Sequence, residues 1–577
     1  MRCPNCGAGA IDGARACTNC GAPLLAGQPQ QFASVAAPGT MGGPPAGYGA
    51  PPPFPVPAAH PAARCLRCGA PLPSIGYPQC PSCGSNASIF AQSSPQARRR
   101  WPVVLAAFGA LAFAAVVAVV AFLLFTSDSN SYPSHWDARV APIATRVEAL
   151  RGLNFKHPVP VNYLSAADFE KRLTSSPEEL KKEKAQIDDA TALFRAIGFI
   201  GANVNLADAA NETQAADTIA FYDPATKAIY VRGNGAFTVE TRVTLAHELT
   251  HVLQDQHFDL PKLDKQAADS RTGSSDALTA LVEGDAVRIE HLYLSQQTAA
   301  DRREYNRLSA LSADQADRRT AHIPAVVGTY FSAPYVFGPQ VIHVLESSGG
   351  NTAINAAITG PTPSTRIYLD PTAVGEAPPP PDVPALRPGE TKVKSQSAND
   401  DGFDDFTFYL MLGARLDRPT ALRAADAFQA GSEVMYKRAG VTCFRASIAA
   451  RNGASNEFLR TVVGQWAKSM PDAAIDGTAI PLVFHSCDSR SRATTPSATA
   501  VNQATALAAG RDEIVASFVA QHISTALASC AARLLVQQPR IRNDIVHDTS
   551  TVPRADILRM AAAAGSSCRL DLDAGIP

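Results

Sequence analysis

Apolar positions follow several regimes along the chain. Residues 22 to 64 have no apolar period: Pro, Gly, Ala and Gln dominate, with PPPFPVP near the end, and the stretch reads as a flexible, partly polyproline tether. Trp101 to Phe125 is an uncharged run, preceded by Arg98, Arg99 and Arg100, and is long enough to span a bilayer. From Ala141 to Phe199 the period is helical, through TRVEALRGL, DFEKRL and EELKKEKAQIDDATALFRAIGF. Thr218 to Arg232 changes period: IAFYD, the turn PATK and AIYVRG predict a hairpin, with Ala228 to Arg232 as an edge strand on which an extended peptide can lie. Helical spacing returns over Thr244 to His257, Asp276 to Leu294 and Gly338 to Gly350. Residues 372 to 400 break it with EAPPPPDVPALRPGE, a surface loop or linker. DDFTFYLMLGARLDRPTALRAADAF resumes as helix, and the alanine-rich run from Ala500 to Val536 is helical as well.

The stretch TLAHELTHVLQDQH carries the chemistry. His247 and His251 lie one turn apart on one helix face, where both imidazoles can hold one zinc, and Glu248 beside them can act on a water at that metal. Val243, Leu245, Ala246, Leu249, Val252 and Leu253 give this helix a broad apolar surface, so it is expected to be buried with the histidines on its interior side. The next helix, DALTALVEGDAVRIEHLYL, offers Glu283 among small neighbours that would let two helices approach closely, and a carboxylate there can complete the site.

Composition changes this picture little, but the cysteines add to it. The chain has 577 residues, 46% of them hydrophobic, and a net charge of -1, so it has room for several domains and no global pull toward nucleic acid. Cys3, Cys6, Cys17 and Cys20 form one quartet of C-x-x-C pairs, and Cys65, Cys68, Cys80 and Cys83 a second. Each pair presents two thiolates to a tetrahedral zinc, and the glycine after each permits the tight turn, so each unit resembles the small zinc-ribbon family. The other four cysteines, Cys443, Cys487, Cys530 and Cys568, lack that spacing. Two disulfides, most simply Cys443 with Cys487 and Cys530 with Cys568, suit an extracytoplasmic segment, with three pairings open.

H-E-L-T-H followed by a helical E-G-D-A resembles the gluzincin group of zinc metallopeptidases. FYDPATKAIYVRG, PYVFGPQVIHVLESSGG and PSTRIYLDP are similar to bacterial membrane-anchored peptidases of this type. The resemblance covers roughly residues 190 to 375 and implies a zincin fold, zinc held by His247, His251 and Glu283, Glu248 as general base, and Tyr335 as donor to an oxyanion. Asp285 and Glu290 stand as rivals to Glu283, and Val287 occupies the position where thermolysin-type chains carry an aspartate. His343 is expected to be structural.

The expected fold class is multidomain: two small four-cysteine zinc ribbons, one transmembrane helix and a mainly helical α+β zincin-like domain with a helical C-terminal extension. The boundaries are ribbon 1 at 1–24, linker 25–63, ribbon 2 at 64–86, linker 87–100, transmembrane helix 101–125, metallopeptidase domain 126–375, Pro-rich loop 376–400 and a disulfide-bonded helical region 401–577. Arginines before the span place the ribbons in the cytoplasm, where they can contact a protein partner, and the rest outside. The expected activity is membrane-anchored, zinc-dependent hydrolysis of extracytoplasmic peptides or proteins, using one catalytic and two structural zinc ions, with no nucleic acid partner. The alternative is a membrane-anchored scaffold that retains the fold without catalysis. Such a scaffold has no need of Glu248.

Overall fold

A computed structural model describes residues 132–573, apart from 234–236, 269, 271–272, 362, 377 and 394–401. Both cysteine quartets, the two linkers and the 101–125 stretch lie outside the described residues.

The first part of the described chain runs α1 (Ala141–Arg151), β1 (Val161–Leu164), α2 (Ala166–Leu173), α3 (Pro177–Lys182), α4 (Lys184–Ile197), α5 (Leu206–Asp217), β2 (Ala220–Asp223) and β3 (Ala228–Arg232). Next come α6 (Val239–Phe258), α7 (Leu260–Ala268), α8 (Ser274–Ser295), α9 (Ala299–Thr320) and α10 (Ala325–Thr359). The remainder is β4 (Glu390–Lys392), α11 (Asp405–Gly413), α12 (Arg418–Ala427), β5 (Phe428–Arg438), β6 (Val441–Ala450), α13 (Gly453–Lys468), β7 (Ala473–Ile475), β8 (Leu482–Cys487), α14 (Ala498–Ala520), α15 (Thr525–Gln537), α16 (Pro539–His547) and α17 (Arg554–Asp573). The architecture is mainly helical, with two sheets.

The first sheet has the order β1-β3-β2, with β1 parallel and β2 antiparallel to β3. The expected hairpin is present, turned at Asp223, whose carboxylate accepts the Ala225 N–H. Its second strand is not the edge that the sequence suggested. β3 is the middle strand because VNYL of β1, within a stretch read as helical, pairs along its far side from Val161↔Ile229 to Leu164↔Arg232. Such a non-local parallel pairing leaves no short-range turn signal. The outer strand lying on α6 is β2.

Two apolar clusters meet at α8. Ile143 and Val147 of α1, Ile229 and Val231 of β3, Leu249 and Val252 of α6, and Ile289 and Tyr293 of α8 form one of them. Ala277, Ala280 and Leu281 at the other end of α8 join a larger one with Phe337 and Val341 of α10, Phe408 of α11, Trp466 of α13 and Leu507 of α14. Glu283 lies on α8 between these two groups. Residues before 375 and after 401 share the larger cluster, so the C-terminal part packs directly on the helices that carry the site.

Two fold expectations are corrected. No helix among the described residues is long and apolar enough to cross a membrane. α8 and α9 carry charges along their length, and α10 is diluted by Gly, Pro, Ser and Thr and broken at Gly349 and Gly350. The segment after 401 is also not wholly helical. It contains an antiparallel sheet of order β4-β5-β6-β8-β7, to which the nominally Pro-rich loop contributes β4. The β5–β6 turn is the pair Ala439 and Gly440, with φ of 49° and 73°, the left-handed pair that a two-residue hairpin uses. The middle of β5 is buried on both faces, which removes the alternation that marks a strand. Cys443 is paired with Cys487 across β6 and β8, and Cys530 of α15 with Cys568 of α17, as expected.

Candidate metal centre

α6 begins at Thr238, whose hydroxyl accepts the Thr241 N–H, and ends at Asp259 in the left-handed conformation. Its His247, Glu248 and His251 are all buried. α8 runs beside it and is fastened by the Gln254 amide, which donates to the Val282 carbonyl at 2.9 Å. Glycine decides how near α8 comes to α10. A Cβ on Gly338 would lie 2.2 Å from the Ala280 carbonyl oxygen, and one on Gly284 only 2.4 Å from the Gly338 carbonyl carbon. The helices touch backbone to backbone there, and Glu283 and Tyr335 are brought to the same place.

His247, His251 and Glu283 converge, with their ligand atoms all within 4.8 Å of one another. The closest atoms are nearer still. His247 Nε2 and Glu283 Oε2 are 3.1 Å apart, the two Nε2 atoms 3.1 Å, and His251 Nε2 and Glu283 Oε2 3.2 Å. Ligands of a tetrahedral zinc with bonds near 2.05 Å stand about 3.3 Å apart, so the three atoms have the spacing of one face of such a tetrahedron. The donor set, two imidazoles and one carboxylate, also suits zinc.

Burial works against charge on Glu283, but His251 and His247 hold its carboxyl well below the usual carboxylate range. The same burial opposes charge on both imidazoles, and the neighbouring carboxylates raise His247 and His251 in spite of it. Glu248 is pushed up by burial, only partly offset by the histidines and by the Tyr222 N–H, which it accepts at 2.7 Å. That bond connects the candidate base directly to the backbone of β2.

The two rivals of Glu283 lie elsewhere in the arrangement. Glu290, two turns further along α8, faces the other nitrogen of His247, with Oε2 at 3.2 Å from Nδ1, and accepts the Tyr305 hydroxyl at 2.9 Å. Asp285 has no side-chain exposure and accepts from Arg151 at 2.6 Å and from Arg288 at 3.0 Å. Neither belongs to the converging trio. Tyr335 lies beside it, its ring nearly parallel to that of His247 at 6.3 Å between centroids. Burial and the Glu283 and Glu248 charges push its phenol well up, so it stays a hydroxyl donor. His343 is exposed on α10. Gln254, Tyr222 and Tyr305, absent from the sequence reading, join the site through hydrogen bonds to His251, Glu248 and Glu290, the last two between residues 26 and 15 positions apart. The one signal that was available is Gln254, one turn after His251 on the same helix.

Compared with known families, residues 2–24 match the zinc-ribbon domain family, which supports structural zinc binding by Cys3, Cys6, Cys17 and Cys20. That match is to a zinc-binding module and carries no peptidase assignment. No curated protein and no solved structure matches the chain.

Proposed function

We propose that the described part of the chain is a zinc-dependent peptidase with a gluzincin-like ligand set. The observation that carries this is the convergence of His247, His251 and Glu283 from two adjacent helices, with Glu248 next to them in sequence. Bound there, zinc would supply Lewis-acid chemistry, polarising a carbonyl and making a water acidic enough to ionise near neutrality. Glu248 takes the proton from the attacking water and returns it to the leaving amine. Tyr335, held neutral, donates a hydrogen bond to the oxyanion as it develops. Buried surroundings strengthen both interactions.

A peptide is favoured as substrate because β2 is an outer strand lying along α6, and outer strands can pair with an extended chain. The disulfides favour work in an oxidising compartment. The cysteine quartet at Cys65, Cys68, Cys80 and Cys83 is assigned to a second structural zinc by its C-x-x-C-G pattern.

The test uses the full chain purified without chelator. Zinc is counted in wild type and in His247→Ala/His251→Ala, and cleavage of a peptide library is followed in wild type and Glu248→Gln. One more zinc in wild type than in the double variant, with cleavage lost in Glu248→Gln while that zinc stays, supports a peptidase. Zinc without cleavage of any peptide favours a non-catalytic metal scaffold.

A further inference from the structure

Beyond the three ligands, the two imidazoles are held from behind by different chains of groups. His247 is simple: its Nδ1 meets the Glu290 carboxylate, which also accepts from Tyr305. His251 has no carboxylate behind it. Its Nδ1 stands 2.9 Å from the Gln254 side-chain oxygen. The amide nitrogen of Gln254 donates to two groups that can only accept, the Val282 carbonyl at 2.9 Å and Asp285 Oδ2 at 3.0 Å. That fixes which end of the amide is nitrogen. Its oxygen must then accept from His251, so Nδ1 carries the proton and Nε2 keeps its lone pair toward Glu283 and His247.

Asp285 is fixed in turn. Arg151, the last residue of α1, donates to it through Nε at 2.6 Å, and Arg288 does so through Nη2 at 3.0 Å. Arg151 has no side-chain exposure and also donates to Asn355 at 2.6 Å, while its carbonyl accepts from Asn351. Both asparagines follow the Gly349 and Gly350 break in α10, and through them the part of the helix after the break meets the end of α1.

We propose that Gln254, Asp285 and Arg151 form a positioning relay that sets the tautomer and orientation of His251, so that affinity for the metal depends on α1 being docked. The proposal rests on the metal-centre reading above. It makes these three residues positioning residues, since none of them faces the converging atoms. It also accounts for a fully buried arginine and aspartate behind the site: apart from the relay, such a pair contributes little net stability.

The experiment measures zinc affinity of the full chain by chelator competition, with His247→Ala/His251→Ala supplying the count that belongs to the cysteine sites. It also measures the melting temperature of each chelated variant. Gln254→Met keeps the side-chain volume but removes the acceptor, and is expected to raise the zinc dissociation constant about 10- to 100-fold. Gln254→Glu combined with Asp285→Asn, which restores an acceptor for Nδ1 without setting two carboxylates against each other, is expected to recover part of that loss. Asp285→Asn acts one bond further out and is expected to give a smaller rise. A merely structural role would lower the melting temperature of the chelated chains and leave the dissociation constant unchanged, and that result overturns the relay. Wild type holding no more zinc than the double variant would instead overturn the metal-centre reading itself.

Discussion

Under the proposed mechanism Tyr335 and Glu248, both beside the candidate metal trio, have different work, and kinetics can separate them. Replacing Tyr335 with Phe keeps the ring against His247 and removes the donor alone. The expected result is a fall of about 10²- to 10³-fold in kcat, with KM and zinc content nearly unchanged, in steady-state assays on any peptide that wild type cleaves. Asp276 lies about two turns before Glu283 on α8. Burial, with Asp404 and Asp264 nearby, pushes its carboxyl up to about 7 from an ordinary 3.8. A carboxyl raised in the folded state binds its proton more tightly there than in the unfolded chain. Its stabilising contribution is therefore full below about pH 4 and is lost as pH rises toward 7. Asp276→Asn should remove that decline, making the variant more resistant to urea than wild type at pH 8 and close to it at pH 4.5.

Among the elements, the crossing of α8 and α10 has the least tolerance. Gly338 presses on the Ala280 carbonyl and on Gly284, with no flexible side chain between to give way. Gly338→Ala must push the two backbones apart, and is expected to cost about 1–3 kcal/mol, read as a lower melting temperature. Zinc affinity should fall with it, since Glu283 rides on α8. The segment Thr365 to Asp370, part of the stretch that resembles the peptidases, packs between helices. Arg366 pairs with Asp405, Tyr368 donates to the Asp276 carbonyl and Asp370 pairs with Arg533. It is a fastening between helices, and none of its residues reaches the candidate metal atoms.

For the molecule as a whole, the larger apolar cluster makes the C-terminal part a support for the site rather than an appendage. Cys530–Cys568 closes a loop of 38 residues and ties α17 to α15. The paired substitution Cys530→Ser/Cys568→Ser is expected to lower unfolding free energy by about 2–4 kcal/mol in denaturant titrations. Zinc content should be unchanged at 25 °C, because neither helix carries a residue of the candidate metal trio.

What the sequence determined by itself is local. The i, i+4 spacing of His247 and His251 places both on one helix face, Glu283 lies among small residues on the next helix, and the hairpin turn after Asp223 is built from neighbouring residues. Each depends on groups a few positions apart, so each leaves a pattern in the chain. Which carboxylate meets both histidines was different: three carboxylates within eight residues of one helix are equivalent until something packs against them. Only the tertiary structure decided it, by giving Asp285 to Arg151 from 134 positions away and Glu290 to Tyr305 and the back of His247. The central position of β3 was settled in the same way, through a pairing with β1 more than sixty positions away, whereas β5 and β6 form a local hairpin hidden in the sequence because their buried faces carry no alternation.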